Sequence, residues 1–397
     1  MLPRWSRKHH HHEDSVHPAV PFNRAPIVGR EIELITEALQ SRHLAADGVH
    51  SRWCQNWICE RLSVPNALLT TSCTKALELA AMLCDIGPGD EVIMPSFTFV
   101  STANAVVMQG GTPVFVDMRP DTLNIDEALV EDAITPRTKA IFVVHYAGVC
   151  ADMDAINAIA RHHGLVVVED AAQAILSTYK GRPAGALADM GCFSFHETKN
   201  IVSGEGGAIA LSPKVPYLKA RVIAEKGTNR TAFMLGQVDK YTWVDKGSSL
   251  LPSEITAAFL QAQLEQAEAI IADRMATWSF YHSALAEAEK AGLLRRPIVP
   301  VECTHNAHIY YVLLPSQQLR NDVIADMKAR NVSATFHYIP LHSSPAGKKL
   351  TRTHGAMTNT DTLPDRLVRL PLWYGMGTAA ELAVEALLEA LRAKVGA

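Results

Sequence analysis

Between residues 70 and 212, short apolar runs of strand length alternate with segments whose apolar residues recur every three or four positions. The runs are EVIMP, TPVFVDM, KAIFVVHY, LVVVEDAA and GCFSF, and the periodic segments include AAMLCDI, STANAVVM and MDAINAIARHH. This alternation predicts βαβ units and a largely parallel sheet. The run LVVVED is apolar on both faces and β-branched, which is typical of a strand covered by helices on each side. Functional groups of such a sheet are expected beyond the carboxyl ends of its strands.

Helical and strand patterns also flank this region. Before it, Ile32, Ile35 and Leu39 predict an amphipathic helix. After it, residues 253–292 carry one long helical pattern, followed by a strand in NAHIYYVLL, a helix in DVIADMKARN and a strand running into a loop in TFHYIPLH. We therefore expect a flexible tail at 1–20, a large α/β domain at 21–250, and a long helix with a smaller C-terminal domain at 251–397.

The composition excludes several classes of partner. The 397 residues include 37 Lys+Arg and 41 Asp+Glu, so the net charge of −4 offers no basic excess for nucleic acid or an acidic membrane. No apolar stretch approaches the ~18 residues of a spanning helix, and residues 1–20 lack the apolar block of a secretory signal, so we expect a cytoplasmic protein. The 7 cysteines are scattered singly without a CxxC pair, which indicates reduced thiols. The histidine run at 9–12 is more typical of a tag-like tail than of a metal site, and no metal is expected.

Two charged residues follow strands of the predicted sheet. Asp170 ends the LVVVED run, and Lys199 lies on the polar exit of GCFSF, just before the glycine-rich SGEGG. Alone, Asp170 could cap a helix in AAQAI, and Lys199 could be a solvated surface lysine. Together, an acid and an amine at one sheet edge match a pyridoxal phosphate site, where a lysine binds the aldehyde and a carboxylate keeps the pyridine nitrogen protonated.

A third signal is the segment TSCTKALELAAML, in which small polar residues at 70–74 precede a helical pattern. Backbone N–H groups and hydroxyls at a helix start can hold an anion, although the segment alone is more typical of a plain helix cap. Neither GxxxxGK[ST] nor a strand-linked GxGxxG occurs, so the usual motifs for ATP and dinucleotides are absent. We interpret the segment as the phosphate site that the acid and the amine require.

From about residue 21 to near the C-terminus, the chain resembles the sugar aminotransferases of the DegT/DnrJ/EryC1/StrS family. The resemblance is carried by an ordered series of motifs: TSCTKAL, GDEVIMPSFTFVSTANAV, VEDAAQA, KGRPAG, GCFSFHETKNIVSGEGGAI and HYIPLH. It implies an α/β fold of the aspartate-aminotransferase type, with a largely parallel sheet in a large domain and a smaller C-terminal α+β domain. It also implies pyridoxal 5′-phosphate as cofactor and a homodimer with active sites at the subunit boundary.

The resemblance implies roles for individual residues around the cofactor ring. Lys199 would tether the cofactor and shuttle protons, and Asp170 would be the partner of the pyridinium nitrogen. Gln173 would lie by the phenolic oxygen, and Phe99 would cover one face of the ring.

At the phosphate end, the resemblance implies contacts from Ser194, Cys73 and Thr74. Many family members have Gly at the Cys73 position, so a Cβ here is expected to shift the phosphate slightly. Many also have a G-x-N-x-R pattern whose Asn reaches the phosphate of the neighbouring subunit. This chain has KGSSLL instead, with Ser249 at the Asn position and Leu251 at the Arg position. The shorter serine hydroxyl could still reach that phosphate, directly or through water.

More narrowly, PSFTFVSTANA, FSFHETKN, EKGTNR, GQVDKYTW and FHYIPLH resemble a subgroup that serves enterobacterial common antigen synthesis. This implies transfer of an amino group from L-glutamate to C4 of dTDP-4-keto-6-deoxy-D-glucose, giving dTDP-4-amino-4,6-dideoxy-D-galactose. Arg230, His337 and Tyr338 become candidate sugar-nucleotide contacts, and His196 is expected to pack or hydrogen-bond within its loop. The alternatives are a GDP- or UDP-linked ketosugar as acceptor, or a non-catalytic sugar-nucleotide sensor on the same fold.

Overall fold

The computed structural model describes residues 20–395 of the chain. The histidine run at 9–12 and the predicted tail, apart from Val20, lie outside the described residues. No helix in the described range is long and apolar enough to cross a lipid bilayer.

Helices and strands alternate through most of this range. The α-helices are α1 (Glu31–Ser41), α2 (Val49–Leu62), α3 (Cys73–Leu83), α4 (Val100–Val107), α5 (Met153–His163), α6 (Tyr217–Ala224), α7 (Arg230–Met234), α8 (Glu254–Glu265), α9 (Ala267–Ala284), α10 (Ala286–Lys290), α11 (Gln317–Ala329), α12 (Gly347–Leu350), α13 (Thr358–Thr362) and α14 (Ala379–Val395). The strands are β1 (Asn66–Thr70), β2 (Glu91–Pro95), β3 (Thr112–Val116), β4 (Thr138–Val144), β5 (Val166–Asp170), β6 (Thr178–Tyr179), β7 (Arg182–Pro183), β8 (Met190–Ser194), β9 (Gly207–Leu211), β10 (Cys303–Thr304), β11 (Tyr310–Leu313), β12 (Arg352–Thr353) and β13 (Leu367–Leu370).

An eight-stranded sheet forms the centre of the fold, in the order β1-β9-β8-β5-β4-β2-β3-β12. Strand β9 runs antiparallel to both of its neighbours, and all other neighbouring strands are parallel. The prediction of a largely parallel α/β sheet is therefore confirmed. In the register, Asp170 of β5 lies opposite Val144 of β4 and Cys192 of β8, so these three strands end at one edge.

The sheet is buried on both faces, which explains its continuous apolar strands. Ile141 and Val167 point into a core with α2, α5 and α8, whereas the next residues, Phe142 and Val168, point into a core with α3, α4 and α6. Side chains alternate between the two faces of a strand, so both positions must be apolar when both faces are covered.

A third hydrophobic core lies in the C-terminal part of the chain. Helices α9, α11 and α14 pack there against the two-stranded antiparallel sheet of β11 and β13, together with Val20. The strand predicted in NAHIYYVLL and the helix predicted in DVIADMKARN are both present as β11 and α11. Helix α8 contacts α1 and α2, so the core of the large sheet continues beyond residue 250. The domain boundary at that residue stays a prediction.

Two C-terminal elements differ from their predictions. The single long helical pattern at 253–292 forms three helices, because Gln266 and Leu285 leave the helical conformation with ψ values of 9° and 4°. The segment TFHYIPLH forms no strand: only Thr335 bridges to Arg369, and a 3₁₀ turn follows at Leu341–Ser343. Pro340 has no N–H to donate to a strand partner, which favours the irregular path.

Helix α1 forms as predicted, but of its predicted apolar stripe only Ile35 packs against the buried cluster, where it is half-buried. Leu34 and Ala38 are buried, whereas Ile32 and Leu39 are 76% and 51% exposed. The buried pair packs on the small residues Ala258 and Ala262 of α8. Small side chains let the two helix backbones approach closely, so the larger isoleucine and leucine of α1 stay outside the contact.

This orientation predicts a clear difference between two truncations in α1. Leu34→Ala should lower the free energy of unfolding by about 2–5 kcal/mol because it opens a cavity in a packed contact. Ile32→Ala is the matched control and should change it by no more than about 0.5 kcal/mol. Urea unfolding of both variants measures the difference. A larger loss at Ile32 than at Leu34 would contradict the observed face.

Candidate active site

A cavity of about 470 Å³ opens where β4, β5 and β8 end. Its lining comes from the large sheet, from the start of α3, and from C-terminal residues near β11 and β13. Nine of the eleven residues predicted for the site line this cavity: Cys73, Thr74, Phe99, Asp170, Gln173, Ser194, Lys199, His337 and Tyr338. The fold therefore brings together side chains that are far apart in the sequence.

Asp170 stands at the last position of β5 and is buried. Thr102 of α4 donates a hydrogen bond of 2.7 Å to its Oδ2, and the Ala172 N–H donates one of 3.2 Å to its Oδ1. Burial raises the pKa of Asp170, while the bonds from Thr102 and Ala172 and the charge of Lys199 act in the opposite direction. Among the described residues no arginine or lysine forms an ion pair with this carboxylate. A cationic group placed against it would stabilise its ionised form.

No helix follows Asp170, so it does not cap one. The AAQAI segment forms tight turns instead, with the Ala174 N–H bonded to the Ala171 carbonyl at 2.9 Å. These turns bury Gln173 rather than leaving it on an exposed helix face. Its Nε2 donates to the Tyr338 hydroxyl at 3.1 Å, and its Oε1 accepts from the Ala147 N–H at 2.7 Å. Gln173 thus links the end of β5 to the C-terminal wall of the cavity.

Lys199 lies in the loop between β8 and β9. Its backbone N–H bonds to the His196 carbonyl at 2.9 Å. Burial lowers the pKa of Lys199, and Arg369 lowers it further, whereas Cys73 and Asp170 raise it. A lowered pKa increases the fraction of neutral amine, which is the form that can act as a nucleophile or accept a proton.

Asn200, the residue after Lys199, anchors this loop and orients His308. The Asn200 amide donates to the Asn306 carbonyl at 2.7 Å, so its oxygen is the end that accepts from Nδ1 of His308 at 2.9 Å. Burial lowers the pKa of His308 well below its usual value, so the ring is neutral. Its Nε2 therefore carries a lone pair, and the ring lines the cavity. His308 carries no signal in the sequence, and only its place in the fold identifies it.

The start of α3 has the features of an anion seat. Ser72 caps the helix by accepting from the Lys75 N–H at 3.2 Å, and no hydrogen bond engages the N–H groups of Cys73 and Thr74 within the described range. The Thr74 hydroxyl is 2.7 Å from that of Ser101. Free N–H groups and hydroxyls at a helix N-terminus favour a phosphate.

A glycine outside α3 allows this seat to approach the sheet. A Cβ built at Gly207 of β9 would lie 2.4 Å from the Ser72 carbonyl carbon and 2.5 Å from the Cys73 nitrogen. Any side chain at Gly207 would push the seat away. Burial raises the pKa of the Cys73 thiol well above its usual value, so the thiol stays protonated and brings no negative charge to the anion seat.

Aromatic side chains form the remaining wall. The ring of Tyr338 stacks on that of His337 at 3.7 Å and lies 6.1 Å from that of Phe99. The Tyr146 hydroxyl is 2.7 Å from Nδ1 of His337. Burial lowers the pKa of His337 well below its usual value, so this ring is neutral too. His196 lies at the same cavity, with its Nδ1 2.9 Å from the Thr198 hydroxyl, as expected for a loop hydrogen bond.

Two predicted residues do not line the cavity of their own chain. Arg230 at the start of α7 is 3.4 Å from a Glu225 oxygen and 3.7 Å from an Asp47 oxygen. Ser249 is exposed and forms a backbone bridge with Glu225. Their part in substrate or phosphate binding stays a prediction.

The residues present fit pyridoxal phosphate. The α3 seat offers donors to a phosphate, Asp170 offers a buried carboxylate without an ion-pair partner in residues 20–395, and Lys199 lies at the same cavity. A ring with a protonated nitrogen at one end and a phosphate on an arm complements this arrangement, and aromatic side chains can cover its faces.

Comparison with known proteins decides the family. The model of the DegT/DnrJ/EryC1/StrS aminotransferase family matches residues 26–389. The chain belongs to this family. The spore coat polysaccharide biosynthesis protein SpsC of Bacillus subtilis is 34% identical over an alignment of 376 residues that covers 92% of this chain and 95% of that protein. Predictions of the aspartate-aminotransferase fold, of an aminotransferase and of pyridoxal phosphate are confirmed at the level of the family.

Solved structures give the same result. The aminotransferase TlmJ of Streptoalloteichus hindustanus has 28% identity and a TM-score of 0.85, with 94% of this chain and 99% of that chain covered. Spr1654 of Streptococcus pneumoniae in its PLP form has 25% identity and a TM-score of 0.86 over the same shares. Both similarities span the large sheet and the C-terminal core of this chain.

The raised pKa of Asp170 predicts an unusual stability profile for the cofactor-free protein. Folding favours the protonated carboxyl, so the wild type should lose stability as the pH rises from the unfolded-state value of about 4 through the raised folded-state pKa. The side chain of the Asp170→Asn variant cannot ionise. The variant should therefore be no more stable than the wild type at low pH and more stable than the wild type at pH 7. Urea unfolding across this range, with the exposed Asp365→Asn as control, measures the effect. An asparagine variant less stable than the wild type at pH 7 would contradict the burial argument.

Proposed function

We propose that the protein transfers the amino group of L-glutamate to C4 of dTDP-4-keto-6-deoxy-D-glucose, giving dTDP-4-amino-4,6-dideoxy-D-galactose. The observation that carries the proposal is that Lys199, Asp170 and the α3 anion seat line the same cavity. The name of the SpsC relative supports a product that enters a polysaccharide. Enterobacterial common antigen is the polysaccharide that the subgroup motifs favour, and the cytoplasm is the location that the sequence predicts.

Pyridoxal phosphate, when bound, supplies an electron sink that stabilises negative charge at the carbon bonded to the amine. Asp170 would keep the ring nitrogen protonated, and the hydrogen bond from Thr102 orients its carboxylate. Ser194 and the first turn of α3, with Cys73 and Thr74, would hold the phosphate. Gln173, which follows β5, would lie by the phenolic oxygen of the ring.

Lys199 moves the proton in both half-reactions. Its lowered pKa lets Nζ take a proton from Cα of the donor and return a proton to C4 of the sugar. Phe99 would cover one face of the cofactor ring, and the stacked pair His337 and Tyr338 would contact the sugar from the C-terminal wall.

The assembly that we propose is a homodimer. Arg230 and Ser249 lie outside the cavity of their own chain, and the segment between them exposes apolar side chains: Met234, Leu235 and Trp243 are 70%, 62% and 78% exposed. A second copy would cover this surface. In such a dimer Ser249 reaches the cofactor phosphate of the neighbouring subunit and Arg230 the diphosphate of its substrate.

The rival functions differ from this one at identifiable points. Family members that dehydrate at C3 have His at the lysine position, whereas Lys199 favours return of the proton and release of an amine. A non-catalytic sensor would need neither the buried acid nor the amine at the cavity. Ketosugars carried by GDP or UDP would use the same chemistry, and base recognition separates them from the dTDP sugar.

Product analysis tests the proposal. With L-glutamate and dTDP-4-keto-6-deoxyglucose, the protein should form 2-oxoglutarate and a C4-amino sugar whose H4 shows only small couplings in proton NMR, because the amine is axial. Lys199→Ala should lose turnover by orders of magnitude, since one amine serves both as tether and as proton carrier. Parallel assays with GDP- and UDP-linked ketosugars provide the comparison. A C3-amine, a gluco epimer with large H4 couplings, or a preference for another nucleotide would refute the proposed substrate.

A further inference from the structure

Two histidines and a glutamate form a cluster on the surface, outside the active-site cavity. His162 and His163 are the last two residues of α5, and Glu131 begins a 3₁₀ turn at Glu131–Ala133 between β3 and β4. One possible ligand atom from each of the three residues lies within 4.8 Å of the other two. Helix α5 ends just before β5 begins, so the cluster is near the amino end of that strand, whereas the cavity opens at the carboxyl ends.

Packing of neighbouring residues brings the cluster together. Glu131 and His163 are 32 positions apart in the chain, so no sequence motif indicates the contact. Val130 and Ala133, on either side of Glu131, are buried in the same hydrophobic core as Ala160 of α5. These buried neighbours fix the two backbones, while the side chains of the cluster remain at the surface.

The surroundings of the cluster favour a cation. The last turn of α5 ends at Gly164, and the carbonyl groups at a helix C-terminus carry partial negative charge. The Glu131 carboxylate faces this end, with Oε1 at 2.9 Å from Nε2 of His163. The His162 and His163 rings are 4.7 Å apart and nearly perpendicular, so their nitrogens converge from two directions. The side chains of His163 and Glu131 are 30% and 56% exposed, which gives an ion access from solvent.

We propose that Glu131, His162 and His163 bind a divalent ion of the later first-row transition metals, such as Zn²⁺. Two imidazoles and one carboxylate form a donor set that Zn²⁺ accepts, with water as the fourth ligand. Mg²⁺ and Ca²⁺ prefer oxygen ligands, so two nitrogens select against them. The inference does not rest on the proposed aminotransferase function, and it departs from the expectation of no metal that the sequence supported.

The geometry requires only small side-chain movements. Bonds of about 2.1 Å in a tetrahedral zinc site hold the ligand atoms about 3.4 Å apart. The 2.9 Å contact between Glu131 and His163 must therefore open slightly, and the widest separation, which is at most 4.8 Å, must close. Rotation of exposed side chains on fixed backbones can do both. A bound ion would then link the turn between β3 and β4 to the end of α5.

Zinc titration of the holoenzyme tests the site. Because the histidine run can bind zinc itself, the parent protein for the experiment carries four substitutions: His9→Asn, His10→Asn, His11→Asn and His12→Asn. Isothermal titration calorimetry with ZnCl₂ should show one ion per chain, and His163→Gln should weaken its binding by at least about tenfold. Glutamine can still donate to Glu131 but offers no imidazole nitrogen. His43→Gln is the matched control, because His43 is an exposed histidine outside the cluster.

A second probe decides the question on the parent protein alone. Co²⁺ should replace Zn²⁺ and give the intense visible absorption of a tetrahedral site, and Glu131→Gln should remove that absorption. Zinc should also raise the Tm of the parent but not that of His163→Gln, since a ligand that binds the folded state stabilises it.

The outcomes separate this site from the enzyme activity. A parent that takes up no stoichiometric zinc, or that binds it equally tightly after His163→Gln, overturns the site. Binding of Mg²⁺ as tight as that of Zn²⁺, or an equal loss in His43→Gln, does so too. The cluster variants should keep the turnover of the parent, because none of the three residues lines the cavity. A parent without aminotransferase turnover refutes the proposed function, and the zinc titration still decides the metal site.

Discussion

The ionisable group on which the site depends is the carboxylate of Asp170, buried at the end of a central strand. The hydroxyl of Thr102 and one backbone N–H satisfy its oxygens, but no arginine or lysine in the described residues forms an ion pair with it. Burial consequently favours its protonated form. A protein gains no stability from such an arrangement in isolation. It gains function if a cationic ring binds there, because the same low-polarity surroundings that destabilise the lone carboxylate strengthen its attraction to a pyridinium.

The cationic groups of the cavity are in the same situation as Asp170, with the opposite charge. Lys199 and Arg369 are cationic groups enclosed with one buried carboxylate, and burial lowers the pKa of both. Anions that balance them can come from ligands, and the start of α3 offers a site for a phosphate. The C-terminal wall is held rigidly for this task, because the buried Arg274 donates to the carbonyls of Ala307, His308 and Leu372. Two of these residues, His308 and Leu372, line the cavity, so Arg274 holds two segments of its C-terminal wall together.

Features that depend on the local sequence pattern could be predicted, whereas features that depend on tertiary packing could not. Asp170 and Lys199 were identifiable because each follows a strongly apolar strand, and parallel strands bring their carboxyl ends to one edge. Arg369 was not identifiable, since RLVRLPL reads as an ordinary strand until the fold turns one of its faces to the cavity. Ile32 and Leu39 were wrongly placed on the packed face of α1, because periodicity favours large apolar residues, whereas the contact uses Leu34 and Ala38 against the alanines of α8. The turns after Asp170 escaped prediction because AAQAI has high helix propensity, which the contacts of Gln173 override.

Trapping the cofactor on the protein tests the central claim most directly. We propose that Lys199 is the amine that binds pyridoxal phosphate, opposite the carboxylate of Asp170. Borohydride reduction of the holoenzyme, followed by proteolysis and mass spectrometry, should therefore place the pyridoxyl group on the peptide that contains Lys199 and leave Lys199→Ala unmodified. Modification of a different lysine in the wild type, or no modification in a protein that retains the cofactor, would contradict it.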